Sequence, residues 1–282
     1  METEHWDQII EPKGKLLDLN LKEVWKYRDL LWLFVKRDFV AQYKQTILGP
    51  LWHFIQPIFT TLMFLFIFGK IANIPTDGID AIPFYMSGIA IWNYFSTCLT
   101  ATSSTFVANA GIFGKVYFPR MVIPLSTVMS NIVKFGIQFS LLLVVMAWFG
   151  IKNHSFHFGA SWLLIPLLVI MMAGLGLGLG IIISSLTTKY RDFTVLIGFA
   201  VQLLMYATPI AYPMSFLKSK SFAAWIAWNP LTPIVEAFRF ALFGTGTIHT
   251  MALLYSTGVI AVLLFVGLLV FSKVERTFMD TV

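Results

Sequence analysis

Residues that could carry chemistry are sparse in this sequence of 282 residues. His154 and His157 stand three positions apart, a spacing that lets two imidazoles share a metal ion, but no third ligand lies near them in the sequence. No HExxH motif, Ser-His-Asp arrangement or paired-carboxylate arrangement accompanies them. The sequence therefore predicts no catalytic residue and no metal site.

Nucleotide-binding loops are also missing. Three Gly-Lys pairs end at Lys15, Lys70 and Lys115, but neither Ser nor Thr follows them, as a phosphate-binding loop requires. The glycine run AGLGLGLG at 173–180 lies within an apolar stretch, where small residues four positions apart let transmembrane helices approach closely. We interpret that run as a packing face and expect no cofactor in this chain.

Long uncharged stretches determine the class of protein. Only 12% of the residues are charged, whereas soluble domains carry about 25%. Uncharged apolar runs of 18 or more residues are typical of membrane spans. We therefore predict an all-α membrane protein with six transmembrane helices. The spans are expected near 50–69, 83–107, 121–149, 161–186, 193–212 and 251–271.

The basic residues predict how these spans are oriented. Fourteen Lys and Arg fall in the segment before the first span, in loops 108–120 and 187–192, and in the tail, whereas five fall on the other side. Because cytoplasmic loops are richer in Lys and Arg, both termini are predicted to be cytoplasmic. An even number of spans agrees with this placement.

The segment before the first span has its own pattern. Residues 21–39 show helical periodicity with an apolar and a charged face, and Asn20 with Glu23 resembles a capping box. An amphipathic helix in the membrane interface is expected, serving either as an anchor or as a docking surface for a cytoplasmic partner. Gly49-Pro50 then marks the start of span 1, since proline suits the first helical turn.

Residues 213–250 are too apolar for an exposed loop and too broken for a straight span. We predict two short re-entrant or interfacial helices on the outer side between spans 5 and 6, hinged at NPLTP, with a seventh span as the alternative. Glu236 and Arg239 are expected to pair on one helical face. No other Asp or Glu falls in an apolar segment, so coupling to an ion gradient is disfavoured and a partner ATPase is favoured.

Two features within the predicted spans bear on a conduit. Lys134 lies about halfway along span 3, where an ionisable group either snorkels or faces a wet path. Span 2 is rich in Ser and Thr, which either bond neighbouring helices or line a conduit. The candidate channel-lining residues are Ser96, Thr100, Ser104 and Lys134.

Three stretches together resemble the permease subunits of ABC-2 type transporters, above all those that export O-antigen, related envelope polysaccharides or teichoic acids. They are YKQTILGPLWHFIQP, NAGIFGKVYFPRMVIPL and WNPLTPIVEAFRFALFG. The resemblance implies a homodimer with two copies of a cytoplasmic ABC ATPase that binds ATP and Mg. It also implies a lipid-linked glycan substrate and residence in the bacterial inner membrane. The net charge of +6 could indicate a nucleic-acid partner, but Lys and Arg gather at the ends of the apolar runs, so we expect a membrane protein and no nucleic-acid partner.

The same resemblance assigns two groups of residues. ATPase coupling is expected at Trp25, Tyr27, Arg28, Gly111, Lys115, Tyr117 and Arg120, with a short helix in the 109–120 loop that ends at Pro119. An outer gate is expected at Asn229, Pro230, Pro233, Glu236 and Arg239, with the last two as a buried pair.

The expected organisation has three parts: a cytoplasmic segment at 1–20, the interface-helix region at 21–44 and the ABC-2 transmembrane domain at 45–282. Two alternative functions stay open at this point. One is an ABC-2 permease for another amphiphile, such as a lipid, a drug or teichoic acid. The other is a membrane-embedded enzyme acting on polyprenyl-linked sugars.

Overall fold

The computed structural model describes residues 21–44, 46–153, 159–190, 192–217, 221, 223–246 and 248–281. Within these ranges the chain consists of helices and their connections, without a β-strand. The segment expected at 1–20, the Asn20 cap, and His154 with His157 lie outside the described residues. The all-α prediction is confirmed for the part of the chain that is described.

The α-helices run in chain order from α1 to α12. Their bounds are α1 Leu21–Lys26, α2 Arg28–Tyr43, α3 Trp52–Phe64, α4 Ala81–Ser103, α5 Thr105–Phe113, α6 Val122–Asn153, α7 Leu164–Thr187, α8 Phe193–Tyr206, α9 Met214–Leu217, α10 Ala223–Ala227, α11 Leu231–Phe243 and α12 Thr250–Thr281. A 3₁₀ turn at Gly49–Leu51 leads into α3, π-helical turns at Leu65–Ile71 extend it, and a 3₁₀ turn at Ala160–Leu163 leads into α7.

Four described helical stretches are long and apolar enough to cross a membrane. They are Gly49–Ile71, Val122–Lys152, Ala160–Thr187 and Thr250–Val274, which coincide with predicted spans 1, 3, 4 and 6. The helix at predicted span 2, α4, has 23 residues and is therefore about 34 Å long, but its hydroxyl side chains lower its hydropathy. At predicted span 5, α8 has only 14 residues.

The N-terminal helix differs from its prediction in two respects. It is divided into α1 and α2 at Tyr27, and it continues to Tyr43 rather than ending near Phe39. Tyr27 has backbone angles of φ −92° and ψ 21°, outside the helical region, which separates the two pieces. Gly49 has a φ of +47°, a conformation that glycine adopts at little cost, just before the 3₁₀ turn that contains Pro50.

A large core holds the bundle together around α4, α7 and α11. Tyr85, Phe95, Met172 and Phe238 are fully buried there. Nine of the 13 residues of α11 are buried, and the other four, Pro233, Glu236, Phe240 and Phe243, are half-buried along one face, so most of this helix is enclosed by the bundle. The apolar composition of residues 231–243 follows from that position.

Close helix approach at the 173–180 run confirms its interpretation as a packing face. A Cβ added at Gly180 would lie 2.6 Å from the Cβ of Thr102 in α4, and one added at Gly174 would lie 2.8 Å from Ile260 in α12. Real Cβ atoms do not approach this closely, so glycine is required at both positions. The run therefore brings α7 against α4 with one set of glycines and against α12 with the other.

A second core lies at the end of the bundle that carries α1, α2, α5 and the 114–121 loop, which we call the interface-helix end. Its buried residues are Phe34, Phe106, Phe113, Phe118, Val122, Ile123, Ile181 and Phe271. The opposite end, which carries the 72–80 loop and residues 207–230, is the distal end. The two ends hold the two groups of residues that the sequence singled out.

Candidate functional site

The predicted coupling region is a rigid assembly at the interface-helix end. The ring of Phe34 in α2 lies 5.7 Å from that of Phe118 in the 114–121 loop, and Phe113 lies 5.8 Å from Phe118. Phe106 stacks on Phe271 of α12 at 4.6 Å. Phe106 also lies 6.0 Å from Phe113, so aromatic contacts continue from α2 through the loop and α5 to α12.

The exposed residues of the predicted coupling group lie on the outside of this assembly. Trp25 is 70% exposed and Tyr117 is 67% exposed, and Lys115 is also exposed. A side chain added at Gly111 would meet no atom within 4 Å. Exposed aromatics at the end of a membrane protein are typical both of the membrane interface and of a protein-binding surface.

Other members of the predicted group have packing roles. Tyr27 packs against the second core, and the Arg120 guanidinium lies 5.4 Å from the ring centroid of Phe113. Arg28 faces solvent with its Nε 3.9 Å from the Asp29 carboxylate. The structure thus brings both predicted segments to one end of the bundle, but it divides their residues between an exposed and a packed set.

The helix expected to end at Pro119 is wrong in its bounds. The observed helix α5 spans Thr105–Phe113 and ends before Gly114, whose N–H bonds the Ala110 carbonyl. Pro119 instead belongs to the turn that starts α6, since its carbonyl accepts the N–H of Val122 at 3.0 Å. Proline favours a helix start, which explains its position here.

At the distal end, Arg239 organises a network of hydrogen bonds. Its Nη1 donates to the Pro209 carbonyl and its Nη2 to the Ile210 carbonyl, both at 2.6 Å. The guanidinium carbon also lies 3.8 Å from the ring centroid of Phe84 in α4. Arg239 on α11 therefore satisfies the carbonyls where the chain leaves α8, and it joins three elements at one point.

The predicted Glu236–Arg239 pair is present, but it is less buried than expected. Arg239 Nη1 lies 3.4 Å from the Glu236 Oε1. The Arg239 side chain is 4% exposed and the Glu236 side chain is 28% exposed. The shorter bonds of Arg239 go to backbone carbonyls, so the carboxylate is a secondary partner of this cation rather than its main one.

Asn229, Pro230 and Pro233 form the hinge between α10 and α11. The Asn229 side-chain amide donates to the Ala207 carbonyl at 3.0 Å, while its oxygen accepts the N–H of Leu231 at 3.0 Å. Pro233 lies in the first turn of α11, where a missing N–H costs little. The hinge residues therefore connect the end of α8 to the start of α11.

Sequence reasoning missed other distal contacts. The Ser215 hydroxyl donates to the Asp77 carboxylate at 2.6 Å, linking the 72–80 loop to α9. The Ser256 hydroxyl of α12 donates to the Pro230 carbonyl at 2.8 Å. No local pattern marks these pairs, because their members are far apart in the sequence.

The candidate channel-lining hydroxyls form a stripe along one side of α4. Ser96, Thr100 and Ser104 are each half-buried, and each donates to a backbone carbonyl of its own helix. These bonds satisfy the hydroxyl donors and leave oxygen lone pairs at the surface of the single chain. The stripe is therefore polar and only partly covered by the described residues.

Lys134 lies on α6, away from that stripe, near a buried polar group. Tyr94 and Cys98 of α4 and Asn131 of α6 lie close to one another, with Lys134 beside them. The Tyr94 hydroxyl and the Asn131 amide nitrogen are buried, and both face the Cys98 thiol. The structure therefore does not join Lys134 to Ser96, Thr100 and Ser104 in one lining.

The described residues contain no cluster of three or more His, Cys, Asp or Glu side chains that could hold a metal ion. Among the described residues, charged and hydrogen-bonding side chains gather at the two ends of the bundle, and further buried polar side chains lie along α4, α6 and α7. Together with long apolar helices, this arrangement is typical of a membrane-embedded transport subunit.

Comparison with known proteins identifies the family. Residues 29–243 match the family described as ABC-2 type transporter, and the chain belongs to that family. It is 31% identical over 255 residues to the O-antigen export system permease protein RfbA of Klebsiella pneumoniae, covering 89% of this chain and 94% of that protein. The resemblance inferred from three sequence motifs is thereby confirmed.

More distant relatives carry related names. RfbA of Myxococcus xanthus, also an O-antigen export system permease protein, is 26% identical over 264 residues, or 93% of this chain and 98% of its own. The polysialic acid transport protein KpsM of Escherichia coli is 24% identical over 253 residues, or 87% of this chain and 93% of its own. The similarity covers nearly the whole length of each protein.

Proposed function

We propose that this chain is the permease subunit of an ATP-driven exporter that moves a lipid-linked, O-antigen-like polysaccharide across the bacterial inner membrane. The observation that carries this proposal is near full-length similarity to permeases named for O-antigen export. Relatives named for polysialic acid and capsule polysaccharide export point to the same substrate class. No relative named above is an enzyme of sugar transfer.

Energy is proposed to come from two copies of a cytoplasmic ABC ATPase. The sequence has no Walker A motif of its own. The exposed surface around Trp25, Lys115 and Tyr117 offers a docking site, and the aromatic contacts beneath it lead into α12. Closure of the ATPase pair would push this surface and displace the helices joined to it.

Six spans with both termini in the cytoplasm are the proposed topology. The length of α4, about 34 Å, is sufficient to cross the hydrocarbon core despite its hydroxyls. The shorter α8 would reach the outer side together with residues 207–212, whose carbonyls Arg239 satisfies. Under this topology α10 and α11 form the re-entrant outer segment: most residues of α11 are buried in protein, whereas α10 has no buried residue and lies at the surface.

The conduit is proposed to form between two copies of this chain. The hydroxyl stripe on α4 is unsuited to contact with lipid tails. On α8, apolar side chains are exposed, with Val195 at 78% and Phe199 at 60%. A homodimer that packs such apolar surface could enclose the polar stripe and line a path with it.

Reconstitution with the partner ATPase in vesicles tests the coupling proposal. Lys115→Glu reverses an exposed charge without touching the second core, so ATP hydrolysis should persist while transfer of a lipid-linked glycan to the outer face falls at least tenfold. A second variant is the double replacement of Lys115 and Arg120 by Ala, in which ATP hydrolysis should likewise persist while glycan export falls.

Lys152→Ala is the matched control, because Lys152 is exposed at the distal end. That variant should transport like the unaltered protein. Normal glycan export by Lys115→Glu and by the double variant would refute the coupling surface. Transport of a lipid or drug, with no transport of a lipid-linked glycan, would instead favour the permease for another amphiphile.

A further inference from the structure

A cavity of about 390 Å³ opens at the distal end, apart from the coupling surface and the α4 stripe. Its walls come from α4, α6, the 3₁₀ turn before α7, and the end of α11. The lining includes Pro83, Leu143, Met146, Phe149, Trp162 and Phe243. This volume falls within the range of small-molecule sites, and the lining is mostly apolar, as in pockets that bind hydrocarbon.

The position of the cavity near the end of a spanning helix places it, in a bilayer, at the level of the lipid head groups. Trp148, next to the lining residue Phe149, is 71% exposed on the outer side of α6. Exposed tryptophans gather where hydrocarbon gives way to head groups. An acyl chain from the surrounding bilayer can therefore enter the apolar part while its head group stays at the rim.

The polar part of the lining is acidic. Asp80 is the only charged residue among the lining residues, and it is acidic. The Thr245 hydroxyl is buried there without a hydrogen-bond partner. These groups complement a cation that donates hydrogen bonds.

We propose that this cavity binds one phospholipid with an ethanolamine head group, with an acyl chain among the apolar walls and the ammonium near Asp80 and Thr245. The proposal requires only that the protein is embedded in a bilayer, and it is independent of the exported molecule. A lipid held in this position would link α4, α6 and the end of α11. The lipid would thus be a structural component of the distal end.

Lipid retention measured on the purified full-length chain tests the proposal. After extensive washing in detergent, the unaltered protein should retain about one phosphatidylethanolamine per chain by mass spectrometry. Ala147→Trp places a large ring among the lining residues and should abolish this retention. Val144→Trp is the matched control, because Val144 is 67% exposed on the same helix and does not line the cavity.

A separate variant tests recognition of the lipid head group, independently of the apolar walls that hold the acyl chain. Asp80→Asn should weaken retention of phosphatidylethanolamine about tenfold, as expected for the loss of a charge-assisted hydrogen bond, and should leave retention of phosphatidylglycerol unchanged. Because Asp80→Asn alters no apolar wall, it remains informative if Ala147→Trp fails to fold. Monodisperse elution of each variant establishes that it is folded.

Several results would overturn the proposal. Equal retention of phosphatidylglycerol and phosphatidylethanolamine by the unaltered protein would refute the charge argument. Retention by Ala147→Trp equal to that of Val144→Trp would place the lipid elsewhere. Preference for a polyprenyl phosphate, or binding of detergent alone, would identify a different occupant. None of these results depends on whether glycan export is observed.

Discussion

Replacing Arg239 should destabilise the distal end more than replacing its acidic partner. The guanidinium donates two hydrogen bonds of 2.6 Å to carbonyls of Pro209 and Ile210, whereas its distance to the Glu236 Oε1 is 3.4 Å. Arg239→Met keeps much of the side-chain volume but removes every one of these donors. The carbonyls would then be buried without their present partner.

The expected magnitude follows from these contacts. A hydrogen bond that involves a charged group contributes about 1.5–3 kcal/mol, and breaking a buried charge pair costs about 3–5 kcal/mol. Arg239→Met should therefore lower the free energy of unfolding by about 4 kcal/mol. Glu236→Gln keeps an acceptor near Arg239, and Glu236 is partly exposed, so that variant should lose about 1 kcal/mol.

Thermal unfolding in detergent, followed by size-exclusion chromatography, measures both effects. At about 2–4 °C per kcal/mol, Arg239→Met should lower the midpoint by about 10 °C and Glu236→Gln by about 3 °C. Arg239→Lys should fall between them, since an ammonium keeps the charge but loses the bidentate geometry. A larger shift for Glu236→Gln than for Arg239→Met would show that the ion pair, rather than the carbonyl bonds, holds this region.

Three further substitutions probe the packing and the hinge. Gly180→Leu should prevent close approach of α7 to α4 and yield aggregated protein on size-exclusion chromatography, whereas Gly136→Leu, at a site with no neighbour within 4 Å, should elute normally. Asn229→Ala should lower the free energy of unfolding by about 1–3 kcal/mol through lost hydrogen bonds, and an unchanged thermal midpoint would contradict the hinge assignment. Phe118→Ala should cost about 3 kcal/mol and increase proteolysis of α2, because α2 loses its aromatic contact with the loop; equal proteolysis of variant and parent would argue against that contact.

Features governed by local composition were predictable from the sequence. Uncharged apolar runs located four spanning helices, and small residues four positions apart identified the packing face at 173–180. The i, i+3 spacing of Glu236 and Arg239 placed them in contact. In each of these cases the signal is a spacing of residues within one helix, even where, as at the glycines, the resulting contact is with another helix.

Features governed by contacts between helices were not predictable in the same way. The main partners of Arg239 are backbone carbonyls almost thirty positions earlier, and a backbone acceptor leaves no trace in residue types. Proline suits both the end of one element and the start of the next, so Pro119 was assigned to the wrong helix. The roles assigned to the coupling, gate and channel residues stay predictions, since they concern assembled and moving states.

The glycine contacts of α7 have a consequence for how transport can occur. The glycines bring the backbone of α7 into contact with α4 on one side and with α12 on the other. No layer of flexible side chains separates these three helices, so they cannot easily slide past one another. We therefore expect these three helices to move together as one rigid unit during transport. Relative movement between helices is then expected where no such glycine contact exists among the described residues, as at α3, α6 and α8.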